Sequence, residues 1–446
     1  MQNTPRPFSF ASSQTWSGND GSWSTFVMRI GTPEQNFHVL PSTSGHETFI
    51  PFPEGCLSTD PENCGILRGT FPESQKQGFA YNESKTWSLI GIYSTDLRED
   101  LGYEANGMYG RETVGLQVQN SGGVTLEKQI VGGLASKDFF LGMFGLGIKP
   151  SNFTDFNYPQ SSFISNLKDQ NIIPSLSFAY NAGASYRMPK VPASLTLGGY
   201  DSTKFQSTID SHALSFDPND ERSLSIGVQK VTAIKTLHGT VTLTDKAIYS
   251  LIDSTVPYLW LPRTVCDSFE LSFGLTYDST TELYLVNNTI RERLQELNPT
   301  ITFSLGGTND PSRLVNIELP YAAFDLQASW PIYPNTTNYF PIKRATNESQ
   351  YTLGRAFLQE AYIIADYERS NFSIYQAVLD ISKKPNIVPI ISSTSVDGTR
   401  EKNGMIESTN KNKLSRGAIA GISVGSILFA AAILYLMFFL WRRRQS

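Results

Sequence analysis

The residues with the clearest chemical potential stand in a short turn that the chain repeats about halfway along its length. Ser42-Thr43-Ser44 forms the first copy and Asp253-Ser254-Thr255 the second, and each lies between an apolar stretch and an aromatic–aliphatic–proline sequence. The copies are 211 residues apart. Asp253 offers a carboxylate, which can act as a general base. Ser42 offers a hydroxyl at the equivalent position, and a serine hydroxyl cannot serve as a base near neutral or acid pH.

A second pair of motifs repeats at nearly the same distance. Phe144-Gly145-Leu146-Gly147 and Leu353-Gly354-Arg355-Ala356 are 209 residues apart. Two matches at almost one spacing indicate a duplicated structural unit. We therefore expect two related lobes, each with one Ser/Thr-rich turn and one glycine motif.

The composition is that of a β-rich globular protein. Of the 446 residues, 12% are aromatic and only 17% are charged, which disfavours disorder, and the length allows two or three domains. The net charge of −5 gives no basic surface for a nucleic-acid partner. Short segments punctuated by glycine predict mostly antiparallel strands. Helices are expected at Pro159–Asp169, capped by Ser161 or Ser162, and at Thr289–Leu297.

Cysteines and glycosylation motifs indicate a secreted ectodomain. Cys56 and Cys64 enclose a short loop rich in turn formers, which suits a local disulfide in an oxidising compartment. Cys266 lies in an apolar segment and is expected to be a buried free thiol. Asn-x-Ser/Thr motifs predict glycosylation at Asn82, Asn152, Asn287, Asn335, Asn347 and Asn371.

The two ends of the chain differ in character. The first residues, MQNTPRPFSFASSQTW, lack the apolar core of a signal peptide, so we expect either a signal missing from this sequence or another route of insertion. Gly417–Trp441 is uncharged and long enough to cross a bilayer as a helix, and Arg442-Arg443-Arg444 place the tail in the cytosol. Small residues spaced for weak self-association of this helix are Gly417, Gly421 and Gly425.

The repeated turns and their surroundings resemble the pepsin-like aspartic proteases (family A1), over roughly residues 20–385. Besides the turns, the resemblance rests on Ile30-Gly31-Thr32-Pro33, Gly198-Gly199-Tyr200-Asp201, the signature Leu353-Gly354-Arg355-Ala356-Phe357-Leu358 with Tyr362 and Asp366, and the cysteine loop after the first turn. It implies a mainly β, bilobal fold with a cleft between two homologous lobes.

The family mechanism needs two carboxylates. Two aspartates, one from each lobe, hold a water and share one proton, so that one acts as base while the other acts as acid. The resemblance implies that Asp253 keeps the second position and that Ser42 replaces the first aspartate. Turn hydroxyls that tie the lobes together would come from Thr43 and Ser254. The partners that close a ψ-shaped loop around each turn would be Gly145 and Gly354.

Several further positions follow from the same resemblance. Tyr103 is the candidate for the tyrosine on the hairpin, or flap, that closes over the substrate. Thr255 stands where the family has glycine, and its branched side chain is expected to crowd the turn. His46 and Glu47 lie just past Ser42, but the family geometry directs them away from the catalytic pair. No cofactor or metal is expected, and none of the four histidines stands in an HExxH zinc pattern.

These observations predict a cell-surface member of the aspartic peptidase family that is inactive or impaired, because losing a general base or acid costs ~10²–10⁴ in rate. Whether the protein is an enzyme stays open. Its cleft would retain a peptide or protein ligand. One alternative is an active endopeptidase with an unconventional dyad built on Asp253. Another is a structural or adhesive surface ectodomain.

The expected domain order combines the resemblance with the composition of the ends. It runs N-terminal extension 1–20, N-terminal β lobe 21–203, C-terminal β lobe 204–385, polar stalk 386–416, transmembrane helix 417–441 and basic tail 442–446. The protein is thus expected to be a single-pass membrane protein with its lobes in the secretory or extracellular space.

Overall fold

Two large β-sheets, one from each half of the chain, are joined by a third sheet that takes strands from both halves. The computed structural model describes residues 4–72, 77–154, 157–206, 213–244, 246–307 and 310–393. Within these ranges the strands β1 to β29 run, in chain order, Phe8–Phe10, Ser12–Ser17, Trp23–Ile30, Gln35–Ser42, Thr48–Pro51, Thr70–Phe71, Ser88–Ser94, Asn106–Leu116, Thr125–Leu134, Gly142–Gly145, Ser177–Asn181, Ser194–Leu197, Gly199–Asp201, Leu214–Ser215, Ser225–Thr236, Gly239–Thr242, Ile248–Ile252, Leu259–Leu261, Thr276–Asp278, Leu283–Leu285, Thr300–Gly307, Asp310–Pro320, Leu326–Ala328, Thr337–Phe340, Ile342–Arg344, Thr352–Leu353, Ala361–Asp366, Asn371–Gln376 and Ile387–Pro389.

The sheets divide the chain as the duplication predicts. The first-half sheet has nine strands, in the order β2-β3-β4-β10-β5-β9-β8-β7 with β6 paired to β4. The second-half sheet has eight, in the order β22-β21-β15-β17-β26-β18-β25 with β16 paired to β15. The joining sheet has six, in the order β1-β12-β11-β27-β28-β14. Two smaller sheets, β13-β29 and β19-β20-β24-β23, complete the described part of the fold.

The same local topology surrounds each repeated turn. In the first half β4 runs parallel to β10, which runs antiparallel to β5. In the second half β17 runs parallel to β26, which runs antiparallel to β18. Ser42 lies opposite Gly145, and Ile252 lies opposite Leu353, so each turn emerges beside its own glycine motif. The mainly β fold agrees with the sequence expectation.

Helices are short and few in the described residues. In chain order α1 to α5 run Cys64–Leu67, Phe163–Asp169, Arg263–Phe273, Asn288–Leu297 and Arg355–Leu358. The predictions of α2 and α4 are confirmed, although α2 begins only at Phe163, where Ser162 Oγ accepts a hydrogen bond from Ser165 N. Helix α3 was not predicted, although its buried Val265, Phe269 and Phe273 recur every four residues.

Both ends of the folded region extend further than the sequence indicated. Residues expected to form an N-terminal extension instead supply β1, which pairs with β12, and β2, which pairs with β3. Both strands lie at the edge of a sheet, and β2 is a polar segment, SSQTWS, so composition alone does not reveal the pairing. The predicted stalk was to begin at residue 386, yet β29 (Ile387–Pro389) pairs with β13. The predicted span Gly417–Trp441 lies outside the described residues; in the part that is described, no helix is long and apolar enough to cross a membrane.

Candidate functional site

The two repeated turns meet between the two large sheets. β4 ends at Ser42, and β17 ends at Ile252, directly before Asp253. Both turns are sealed from solvent, since Ser42 is 1% exposed and Asp253 is fully buried. Each turn leaves a strand that is paired with its neighbours, so its side chains are held in fixed positions.

Thr43 and Ser254 exchange hydrogen bonds across the two lobes. Thr43 N donates to Ser254 Oγ, and Ser254 N donates to Thr43 Oγ1, both at 3.0 Å. Ser254 Oγ donates in turn to Pro41 O at 2.6 Å, and Thr43 Oγ1 donates to Ile252 O at 3.3 Å. Each hydroxyl therefore both accepts and donates. The pair fastens one turn to the other.

Removing the Thr43 hydroxyl should destabilise the folded protein. Thr43→Val keeps the shape of the side chain but leaves the Ser254 N–H without its acceptor in a buried place, so we expect a loss of about 1–3 kcal/mol in the free energy of unfolding. The control is Thr242→Val on the exposed face of β16, where a change within about 0.5 kcal/mol is expected. Urea unfolding followed by tryptophan fluorescence measures both, and equal small effects would contradict the assigned role.

A chain of hydroxyls connects Ser42 to Asp253. Thr255 Oγ1 donates to Asp253 Oδ1 at 2.6 Å, and Thr255 N donates to the same oxygen at 2.9 Å. Ser42 Oγ lies 2.6 Å from Thr255 Oγ1. Because the single Thr255 proton goes to the carboxylate, Ser42 must be the donor in that pair. Ser42 Oγ in turn accepts from Gly45 N at 2.8 Å.

The remaining oxygen of Asp253 is taken by an arginine. Arg98 Nη1 donates to Asp253 Oδ2 at 2.5 Å, and Arg98 Nη2 donates to Thr352 Oγ1 at 2.9 Å. Asp100 binds the same guanidinium through Nε and Nη2, both at 2.8 Å. The Arg98 side chain is only 7% exposed, so this is a buried ion pair.

Arg98 reaches Asp253 from the loop at residues 95–105, between β7 and β8, here called the flap loop. Leu97 and Leu101 from the same loop are buried, and Gln350 Nε2 donates to Asp100 O at 2.5 Å, which ties the loop to the second half of the chain. Arg98 itself adopts a left-handed backbone conformation, with φ of 54°, which is uncommon for a residue with a side chain. The loop therefore reaches into the space between the lobes.

The charge of Asp253 is fixed by these neighbours. Burial alone would raise the pKa of the carboxyl, but the Arg98 guanidinium and the two hydrogen bonds from Thr255 outweigh burial and hold the pKa of Asp253 below its usual value. A carboxylate that is so stabilised is a weak base. Among the described residues, the groups that bind Ser42 Oγ are the Thr255 hydroxyl and the Gly45 N–H, and neither can remove its proton.

Comparison with known proteins identifies the fold. Residues 25–377 match the family described as eukaryotic aspartyl protease. The chain belongs to this family. It is 23% identical over 368 residues to an acid protease of Saccharomycopsis fibuligera, covering 80% of this chain and 82% of that protein. It is 21% identical over 398 residues to aspartic proteinase yapsin-3 of Saccharomyces cerevisiae, covering 84% and 70%. A shorter match, 28% over 152 residues, is to aspartic proteinase 3 of the same yeast, covering 34% and 23%.

In this aspartyl protease chain, Tyr103 lies on the flap loop and lines the space between the lobes. Its ring packs against Phe139 at a centroid distance of 5.3 Å, and it lines a cavity that also contacts Thr255 and Tyr258. Burial raises the pKa of the Tyr103 hydroxyl. The structure thus places the flap candidate beside the second turn, on the same loop as Arg98.

Gly145 and Gly354 of the aspartyl protease fold allow backbone to pass close to each turn. A Cβ at Gly145 would lie 2.6 Å from the backbone of Glu47, and one at Gly354 would lie 2.3 Å from Tyr258 O. Larger residues cannot be accommodated without moving the strands, which explains the glycine at each site.

Glu47 and His46 belong to a separate buried group in the first lobe. Tyr109 Oη donates to Glu47 Oε2 at 2.9 Å. Burial raises the pKa of Glu47, against the hydrogen bonds from Ser151 and Tyr109. Burial, aided by Lys149, lowers the pKa of His46 to about 4. The hydrogen-bond partners of Glu47 therefore lie within its own lobe.

The remaining predicted positions of this family member lie away from the turns. A disulfide joins Cys56 and Cys64, as the sequence predicted, and Cys266 is a buried free thiol whose pKa burial raises to about 12. Of the sequon asparagines, Asn371 is half-buried and the others are exposed, namely Asn82, Asn152, Asn287, Asn335 and Asn347. Glycosylation stays a prediction.

Two residues that shape this site, Arg98 and Thr255, were not predicted from the sequence to do so. Arg98 belongs to no recognisable motif. A single arginine in a loop does not indicate that it will bind a carboxylate 155 positions later in the chain. Thr255 was expected to crowd its turn. Instead its hydroxyl bonds to both Ser42 and Asp253. The sequence did contain one signal of this role, because Thr255 stands where the family has glycine.

Proposed function

We propose that this protein is a catalytically inactive member of the aspartyl protease family, in which the interlobe cleft binds a ligand and does not cleave it. The observation that carries the proposal is the buried ion pair between Asp253 and Arg98, opposite a serine at position 42. Aspartic proteolysis needs one carboxylate as base and another as acid. Ser42 supplies neither, and Arg98 keeps Asp253 ionised, so that it cannot donate a proton.

Thr255 adds a steric argument. Its hydroxyl lies 2.6 Å from both Ser42 Oγ and Asp253 Oδ1, which is the region where the family mechanism places a water between two carboxylates. A side chain in this position competes with that water. Loss of the base, of the acid and of the water site would each reduce the rate, by ~10²–10⁴ for the acid–base groups.

The proposed ligand is a peptide or protein, because peptides are the substrates of the family. The proposed location is the secretory pathway or cell surface, supported by the disulfide between Cys56 and Cys64, since disulfides persist in oxidising compartments. We further propose that Gly417–Trp441 anchors the protein as a single-pass span with a short cytosolic tail, as its length and hydrophobicity indicate.

Two other functions remain as alternatives. An active endopeptidase with an unconventional dyad is favoured by the hydrogen-bonded chain from Ser42 through Thr255 to Asp253, but it requires Arg98 to leave the carboxylate first. A structural or adhesive ectodomain is favoured by the buried exchange between Thr43 and Ser254, which fastens the lobes.

A proteolysis assay with matched variants tests the inactive state. The purified protein is incubated with an unfolded protein substrate at about pH 3–6, a range that spans the upper pKa of an aspartic dyad. We expect wild type and Asp253→Asn to give the same background rate, because Asp253 performs no chemistry. Addition of a statin-type peptide inhibitor should not change either rate.

Cleavage by the wild type that Asp253→Asn abolishes would overturn the proposal in favour of the unconventional dyad. Cleavage that the inhibitor removes equally from both samples identifies a contaminating acid protease, and the preparation is then repurified and remeasured. Asp366→Asn, which alters a carboxylate paired with Arg369 away from the turns, serves as the matched control for folding and purity.

A further inference from the structure

A cavity of about 430 Å³ remains between the lobes beside the inserted flap loop. Its walls come from both halves of the chain and combine polar and charged side chains with apolar and aromatic ones, the latter including Tyr103, Phe140, Met143, Val256, Tyr258 and Ile332. This volume lies within the range of sites that hold small ligands, about 300–1,000 Å³. The cavity therefore has the size of a small-ligand site.

The flap loop determines how a chain can enter. Tyr103 forms part of the cavity wall, while Arg98 of the same loop occupies the position over Asp253. The turn residues Ser42 and Asp253 are sealed, with at most 1% exposure. A polypeptide cannot continue across these turns while the loop is in place. A polypeptide ligand would therefore have to place its terminal residue in the cavity.

One lysine of the cavity, Lys343, has a single distant ion-pair partner among the described residues. The Lys343 side chain is 12% exposed, and its Nζ lies 3.7 Å from Glu282 Oε2, a carboxylate on a 61% exposed side chain. The ammonium also lies 5.1 Å from the Tyr258 ring and 5.2 Å from the Trp260 ring. An ammonium has three protons to donate, so this mostly buried group can accept a further anionic partner.

A buried arginine of the cavity also has a free donor. Arg355 is 4% exposed, and its Nη1 donates to Ser254 O and Thr255 O, both at 2.9 Å. Nη2 binds Asp20 Oδ2 at 3.2 Å, whereas Nε has no hydrogen-bond partner among the described residues. Buried donors of this kind normally have a partner.

The carboxylates that line the cavity are already engaged or exposed. Asp20 accepts from Trp23 Nε1 at 2.5 Å and from Arg355, while Asp138 is solvent-exposed and accepts from Ser136 Oγ at 3.0 Å. Lys137, also in the wall, is neutralised by Asp60 at 2.7 Å. Among the described residues, the cavity therefore offers Lys343 no acceptor closer than Glu282 at 3.7 Å, and it offers Arg355 Nε no hydrogen-bond acceptor.

We propose that this cavity binds an apolar group bearing a carboxylate, as presented by the C-terminal residue of a polypeptide or by a small aromatic acid, with Lys343 as the principal contact to the carboxylate. The inference rests on the proposed function, since it names the ligand of an uncleaving cleft. The aromatic walls receive the side chain, and the flap loop prevents the chain from continuing beyond it.

The test measures fluorescence anisotropy with the full-length protein and a labelled hexapeptide ending in Leu-Phe with a free carboxylate. The same peptide with a C-terminal amide, and one extended by Gly-Gly beyond the Phe, are compared with it. We expect the free acid to bind about tenfold or more tightly than either, the gain typical of a charge-assisted hydrogen bond. N-acetylphenylalanine is added as a competitor to test whether a small acid binds as well as a peptide end. If it displaces the labelled peptide, the cavity recognises an apolar group with a carboxylate and does not require the rest of a peptide.

Lys343→Met tests the contact, since methionine keeps the apolar stem but removes the charge. It should abolish the preference for acid over amide, whereas Lys230→Met, on the exposed side of β15, should leave it unchanged. Circular dichroism checks that both variants are folded. If Lys343→Met does not fold, the comparison of the three peptides on the wild-type protein still tests the inference. Equal binding of acid, amide and extended peptide, or no binding at about 1 mM, would overturn the inference. The proposed inactivity is judged separately, by cleavage.

Discussion

Replacing Arg98 with methionine should destabilise the folded protein by about 3–5 kcal/mol at neutral pH, the usual cost of breaking a buried ion pair by removing one partner. Asp253 would remain fully buried with its negative charge unpaired. Adding Asp253→Asn to the Arg98→Met variant should restore much of the loss, because the buried charge is then gone. Urea unfolding of the four proteins forms a double-mutant cycle and measures the coupling between the two side chains.

The pH dependence of this loss has a definite sign. In the wild type the lowered pKa of Asp253 contributes stability that is present above the unfolded value of about 4 and is lost as the pH falls through the folded pKa. In Arg98→Met burial is left without the opposing guanidinium, so the carboxyl takes up a proton at higher pH. The difference between wild type and variant should therefore be largest near pH 7 and shrink towards pH 3.

The matched control is an arginine on the surface. Arg293, 58% exposed, pairs with Glu296, and Arg293→Met should change the free energy of unfolding by at most about 1 kcal/mol. An Arg98→Met loss no larger than that of the control, or one that grows towards acid pH, would contradict the buried ion pair.

Restoring proteolysis should require more than the missing aspartate. Ser42→Asp alone places a second carboxylate near Asp253, but Arg98 still pairs with Asp253, and the Thr255 hydroxyl still lies between positions 42 and 253. We expect Ser42→Asp to remain at background on an unfolded protein substrate. The triple variant Ser42→Asp, Arg98→Gln, Thr255→Gly should cleave it at least ~10²-fold faster at acid pH, the contribution of a general base.

The controls for this experiment separate chemistry from folding. Asp253→Asn in the triple variant should return the rate to background, because the new dyad would lose one carboxylate. The variant with Arg98→Gln and Thr255→Gly but with Ser42 intact should be inactive. If Ser42→Asp alone equals the triple variant, then neither Arg98 nor Thr255 obstructs the site.

The sequence was sufficient to predict the fold because the motifs that indicate it occur twice, once in each half of the chain. Two turns and two glycine motifs at nearly one offset identified the lobes, and Ser42 against Asp253 identified the altered site. Local chemistry also predicted the disulfide of Cys56 with Cys64 and the capped helix that begins after Ser162.

What the sequence could not supply depends on distant partners. Arg98 acquires its role only when the flap loop enters the cleft, and no local pattern encodes that insertion. Helix α3 was missed because its apolar spacing at Val265, Phe269 and Phe273 lies in a short segment that also suits a strand. Strands β1 and β29 have little local signature and are defined by the strands that they meet.

The joining sheet has a consequence for how the molecule comes apart. Its central pairing sets Ser177–Asn181 of the first half against Ala361–Asp366 of the second, and the first-half strand β1 completes the same sheet. Each half therefore exposes an unpaired strand edge when it is alone. A chain severed between β13 and β14 would give two fragments prone to find each other or to aggregate, and not two self-sufficient domains. We therefore expect the two halves to fold and unfold together.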